Sequence, residues 1–146
     1  MTELVYRRIG IVLALGGIVI AGYLTYVHYA GLQPVCGIAH GCETVQTSSY
    51  AYLAGAPVAL LGLLTYLVIA ATLMIGGEAM LRAGYFLTLI GFGFSVYLTY
   101  REVFTIRAIC SWCVSSAIVL ALLAIVGTIR ALNADTVSAH VAAETA

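Results

Sequence analysis

Residues 108–129 read AICSWCVSSAIVLALLAIVGTI, 22 positions without a charged side chain, with Cys110 and Cys113 near the start. A helix needs roughly 20 apolar residues to cross the hydrocarbon core of a bilayer, so this stretch predicts a transmembrane helix with two thiols at its mouth. Three more uncharged stretches precede it: Ile9 to Tyr29, Ala54 to Ile75 and Ala83 to Tyr100. The expected fold is all-α, a polytopic membrane protein built as a four-transmembrane-helix bundle. A secretory signal peptide is the weaker reading of the first stretch. Its apolar run exceeds the roughly 7 to 15 residues of such segments, and Tyr23, Tyr26 and Tyr29 close it like an interfacial belt.

Composition agrees. Of 146 residues, 63% are hydrophobic and 8% charged, and six basic side chains balance six acidic ones. A soluble domain carries about 25% charged residues, so this chain lacks the polar surface that water requires. It also lacks the basic cluster that nucleic acid demands. Residues 1–131 are expected to form one membrane domain and 132–146 a short, disordered cytoplasmic tail. Four spans put both termini on one side, together with Arg7, Arg8, Arg82 and Arg130, against Arg101 and Arg107 opposite. The positive-inside rule makes that side cytoplasmic. The loop from Ala30 to Leu53 and the turn from Arg101 to Arg107 then face outward from the cell membrane, towards the periplasm or exterior, with all four cysteines on the oxidising side.

A shift of 74 residues aligns ten identities in 29 positions, among them Tyr23-Leu24-Thr25-Tyr26 with Tyr97-Leu98-Thr99-Tyr100 and Cys36 with Cys110. This is read either as a parallel duplication of helical hairpins or as convergence of two helices that share an orientation.

The chemistry lies in the cysteines. In Cys110-Ser111-Trp112-Cys113 the first thiol meets the positive end of the helix dipole, and Arg107 adds a cation; both lower a thiol pKa. Positions i and i+3 share a helix face, so the two sulfurs can approach. Cys36 and Cys42 flank a small, flexible stretch that can close a disulfide. Alone, that pair reads as structural; beside a C-x-x-C on the same side it permits thiol-disulfide exchange. Zinc bound with help from His28 and His40 is the weaker alternative, and no metal is expected. Two pairs in series form a relay with one end at a protein thiol and the other in the lipid. A quinone, ubiquinone or menaquinone, is the expected acceptor, because it takes the two electrons that a dithiol yields and nothing resembles a haem, flavin or iron-sulfur site. Two rivals are weaker. A transmembrane conduit of reducing equivalents needs thiols reachable from both faces, and a structural four-helix protein with a braced outer loop gives no reason for a C-x-x-C.

Other residues have plainer readings. Tyr23, Tyr26, Tyr97 and Tyr100 are expected to anchor the interface, and Gly16, Gly17, Gly22, Gly91 and Gly93 to let helices approach. Arg101 and Glu102 are expected to cap or pair at the surface, and Pro57 to sit in the first turn of the second helix. His28 and His40 read as solvated loop histidines. Leu61 and Ala117 are candidates to line an apolar quinone pocket.

The chain resembles the bacterial and archaeal homologues of vitamin K epoxide reductase over Tyr6 to about Arg130. The likeness rests on the Cys36 and Cys42 spacing, Ser48-Ser49-Tyr50-Ala51, the run Gly55-Ala56-Pro57-Val58-Ala59-Leu60-Leu61-Gly62, and Ala108-Ile109-Cys110-Ser111-Trp112-Cys113. The DsbB class, by contrast, carries its C-x-x-C in the first outer loop. The resemblance implies that Cys36 forms a mixed disulfide with a thioredoxin-fold, DsbA-like partner, that Cys42 passes electrons to Cys110, and that Cys113 stands beside the quinone with Ser48 nearby. In vertebrate members an amide and a tyrosine hold the vitamin K oxygens. The matching positions here are Val58 and Ala117, which offer no side-chain donor, so the resemblance implies quinone reduction and not epoxide reduction. Many bacterial members fuse a thioredoxin-like domain after the core; only 16 residues follow Arg130 here, so the partner is expected to be a separate protein.

Overall fold

The computed structural model describes residues 2–37 and 41–146. His40, weighed above as a metal ligand, lies outside the described residues. Four long helices form the bundle: α1 (Thr2–Tyr29), α3 (Val58–Ile75), α4 (Glu78–Arg101) and α5 (Ser111–Glu144). All four are long and apolar enough to cross a membrane. A short helix, α2 (Cys42–Gln46), and a two-stranded hairpin, β1 (Tyr52–Leu53) with β2 (Ala56–Pro57), fill the connection between α1 and α3.

The buried face of α1 is rich in small residues. On α1 the buried residues are Gly10, Ala14, Gly17, Ala21, Leu24 and Val27, spaced along one face, while Val12, Leu15 and Val19 are exposed. Lipid is as apolar as leucine, so helices associate here through close van der Waals packing, which small residues permit. The core joins Ala14 and Ala21 of α1 with Tyr66, Ile69, Ala70 and Leu73 of α3 and Leu120 and Leu123 of α5. Gly17 is the tightest point, since a Cβ there would overlap the Tyr66 ring. Gly91 fits the close-approach reading, with Leu120 and Thr65 at 3.5 Å from a Cβ, whereas nothing lies within 4 Å of one at Gly16 or Gly93.

The helix limits differ from the uncharged stretches for local reasons. The second helix begins at Val58 rather than Ala54, because Ala54 (φ 53°) and Gly55 (φ 85°) make the left-handed turn of the hairpin, pairing Tyr52 with Pro57. Pro57 precedes the helix as its N-cap residue instead of lying inside its first turn. The fourth helix begins at Ser111, which leaves Cys110 as its N-cap. The third continues beyond Arg101 as a wide π turn, Glu102–Ile106. The expected disordered tail is instead helical to Glu144; residues 131–144 contain no Gly or Pro to stop a helix and are rich in alanine.

The start of α1 and the last turns of α5 lie at the end opposite the cysteines. There Arg130, 6% exposed, donates to Glu3 at 2.7 and 3.0 Å. Arg7 donates to the carbonyls of Leu73 and Met74, both at 2.6 Å, satisfying the last turn of α3. The two copies of Tyr-Leu-Thr-Tyr are locally alike, with Thr25 and Thr99 each donating to the carbonyl four residues back.

The tight point gives a matched pair of substitutions. Gly17→Ala must displace the Tyr66 ring and lowers stability by about 1–3 kcal/mol, the range for overpacking; Gly16→Ala adds its methyl in open space and leaves stability unchanged. Unfolding in detergent micelles, followed by far-UV circular dichroism, measures both.

Candidate functional site

The cysteines come from two separate segments that fold onto each other. Cys36 and Cys42 are joined as a disulfide with their Cα atoms 6.1 Å apart, while Cys110 and Cys113 are free thiols. Cys42 opens α2 and Cys110 caps α5. These two are almost wholly buried, at 1% and 0% exposure, and share a cluster with Val45 against which Cys36, Ile106, Ala108, Trp112 and Cys113 pack. The sequence places all four thiols at one end; the fold makes them one cluster.

Two features hold the loop down. The Trp112 indole donates to the Val35 carbonyl at 2.8 Å, and the Val35 N–H donates to the Tyr23 hydroxyl at 3.0 Å, with the Tyr23 and Trp112 rings 4.7 Å apart. The residue inside the C-x-x-C thus positions the segment leading to Cys36, and Tyr23 serves as a loop clamp. Gly41 makes the closest approach, because a Cβ there would lie 2.6 Å from the Ile109 nitrogen and 2.8 Å from its carbonyl oxygen.

Cys110 is electrostatically prepared. Its sulfur accepts the Cys113 N–H at 3.4 Å, as an N-cap side chain does. The hydrogen bond from the Cys113 thiol holds the Cys110 thiol below its ordinary range, against burial and the nearby Glu102 carboxyl, which push it up. Arg107, expected to supply a cation, is exposed in a left-handed conformation (φ 56°) and is not among the groups that shift Cys110.

Beneath Cys113 lies a cavity of about 150 Å³. An apolar cavity of this size holds a benzene ring. Cys113, Ser48, Val58 and Leu61 line it, as do Phe94 and Leu120. Ala117 is absent from its wall: α5 contributes Cys113, Ser116 and Leu120, spaced i, i+3 and i+7 on one face, and Ala117 lies about 100° around the helix from Ser116. The Ser48 hydroxyl donates to the Val45 carbonyl at 2.7 Å, which fixes α2 against the following turn.

Three further lining residues make contacts at the site that the sequence did not assign to them. Gln46 donates to the Cys113 sulfur at 3.6 Å. The Tyr66 hydroxyl donates to the Ser116 carbonyl at 2.9 Å. Glu102, expected at the surface, is only 3% exposed and accepts the Cys110 N–H at 3.2 Å. Arg101 does stand at the surface, stacked over the rings of Tyr50 and Tyr97. A carboxylate abutting an apolar span was the available signal for Glu102.

The seat of Gly41 sets the distance between the pairs. Gly41→Val lifts the loop from Ala108 and Ile109 and slows electron transfer from reduced Cys36–Cys42 to the Cys110–Cys113 disulfide on the order of 10²-fold, the cost of a misplacement near 1 Å. Rapid acid quench followed by alkylation and mass spectrometry reads that rate.

None of the curated proteins compared with the chain matches it. The family model described as the Vitamin K epoxide reductase family matches residues 8–128. That span takes in both cysteine pairs, the clamp and the cavity. With four membrane-spanning helices around a paired-thiol site, the chain belongs to the vitamin K epoxide reductase family and is a multi-pass membrane disulfide oxidoreductase.

Proposed function

We propose that the protein oxidises a separate thioredoxin-fold, DsbA-like partner and passes the electrons to a membrane quinone, ubiquinone or menaquinone, so forming disulfide bonds outside the cytoplasm. The observation that carries this reading is the single cluster of four cysteines with the apolar cavity directly beneath Cys113. In this reading residues 1–131 are the functional membrane domain, the termini are cytoplasmic, and the cysteine end faces the periplasm or exterior of the plasma membrane.

Each cysteine takes a role from its surroundings. Cys36 is the more accessible of the loop pair and receives the partner's thiolate, which frees Cys42 as the mixed disulfide forms; the partner's second thiol then closes on the first and releases Cys36. The Cys42 thiolate attacks Cys110 of the oxidised Cys110–Cys113 pair and frees Cys113; Cys36 then attacks Cys42 and releases Cys110, whose lowered pKa makes it the better leaving group. Cys113 then closes on Cys110. A quinone ring fits the cavity on size and on its apolar walls, with Val58, Leu61, Phe94 and Leu120 to hold it, and when bound it supplies a two-electron sink. Ala117 drops out of the proposed quinone contacts because α5 turns it off the wall. Neither Val58 nor Ala117 offers a side-chain donor, so the proposed substrate is the quinone and not the epoxide.

Purified protein, reduced and freed of excess reductant, is reoxidised by a short-chain ubiquinone or menaquinone with loss of two alkylatable thiols per quinone consumed. Cys113→Ala abolishes the reaction. Wild-type thiols that stay reduced in the presence of either quinone contradict the proposal.

A further inference from the structure

Among the described residues no cation pairs with the buried carboxyl of Glu102. The two nearest arginines in sequence turn away: Arg101 stacks on Tyr50 and Tyr97, and Arg107 points to the surface. What Glu102 does meet is the reactive pair. Its Oε2 accepts the N–H of Cys110, whose own sulfur accepts the Cys113 N–H. It lines the same cavity as Cys113.

The backbone is shaped to put it there. After α4 the chain widens into the π turn Glu102–Ile106, and Arg107 takes the left-handed conformation as its cap. The Ala108 N–H closes the turn on the Glu102 carbonyl at 3.2 Å. That reversal brings Cys110, eight residues on, back over the Glu102 side chain. Single π turns inside helices occur frequently at functional sites. Burying a carboxyl in apolar surroundings is costly unless something compensates, and one backbone hydrogen bond would be equally well accepted by an uncharged glutamine. A carboxyl is required only if a proton moves.

We propose that Glu102 is the base that takes the proton from Cys113 when the Cys110–Cys113 disulfide closes. The inference rests on the proposed quinone reading only for the proton's destination. Closing the disulfide breaks two S–H bonds, makes one S–S bond, and releases two protons and two electrons. A quinone accepts both electrons and both protons to become the quinol, so Glu102, which takes up and yields one proton at a time, ends unchanged. Among the described residues the other titratable groups around this point are Cys110 and Cys113, with Tyr50, under the Arg101 guanidinium, on the cavity wall. Gln46 from α2 does not titrate, and Tyr66 from α3 has its hydroxyl engaged by Ser116.

Glu102→Gln keeps an acceptor for the Cys110 N–H and removes the base. Disulfide closure is followed in reduced protein with two oxidants, a short-chain quinone and the quinone-independent thiol oxidant diamide. Both rates are expected to fall on the order of 10²-fold at neutral pH, the lower end for a lost general base. They recover as pH rises and hydroxide takes the proton, and Glu102→Asp retains part of the wild-type rate. Equal rates in wild type and Glu102→Gln, or a loss that pH does not restore, overturns the proposal. A wild-type protein that diamide oxidises with this dependence on Glu102, but that no quinone oxidises, leaves Glu102 as the base and sinks the quinone reading instead.

Discussion

Cys42 and Cys110 are each almost fully buried, and each is buried by the other's neighbours. This mutual burial is the constraint on which the cysteine end depends. Thiol-disulfide exchange needs a thiolate to reach a disulfide sulfur directly, so a loop that only visited the mouth of α5 would exchange slowly. Fixing each backbone residue costs roughly 1–2 kcal/mol of conformational entropy. The indole bond from Trp112 to Val35, the Tyr23 hydroxyl bond, and the seating of Gly41 on Ile109 offset that cost. The spacer residues of the C-x-x-C are therefore part of the clamp, and the motif both reacts and docks its own partner loop.

The bundle beneath supplies a rigid platform on terms set by lipid. Small residues on α1 let α3 approach, and polar groups inside the bundle are satisfied within it. Thr88 bonds the Gly84 carbonyl, Thr128 bonds both the Ala124 carbonyl and the Tyr85 hydroxyl, and Arg130 is paired with Glu3. Among the described residues no buried side-chain nitrogen or oxygen lacks a partner. That frees the cavity under Cys113 to be a working space. Of its polar members, Gln46 and Glu102 bond directly at the C-x-x-C, and its apolar members suit the lipid-soluble reactant proposed for it.

The spans, the four-helix class and the gathering of the cysteines at one end were legible because charge marks where a chain leaves a bilayer. Boundaries were less so. Charge is silent about Ala54-Gly55, where backbone conformation starts a hairpin, and about the stretch after Arg130, where helix propensity carries α5 onward past the last apolar run. At the site, Ala117 was proposed through its match to a tyrosine of vertebrate members, and it lies off the cavity wall, which follows the Cys113, Ser116 and Leu120 row. Arg107 and Glu102 exchanged roles. The cation near Cys110 in sequence is aimed outward by a left-handed residue, and the anion assigned to the surface is turned inward by a π turn. Neither reversal is written in hydropathy, since both follow from the backbone path between α4 and α5.

The central claim, that Cys42 and Cys110 are the contact between the pairs, is tested most directly in a chain that retains only those two thiols. In Cys36→Ala/Cys113→Ala protein, mild oxidation is expected to join Cys42 to Cys110 nearly quantitatively, identified as a single crosslinked peptide by mass spectrometry. Two thiols that remain alkylatable in a correctly folded bundle, or that pair only between molecules, would contradict it.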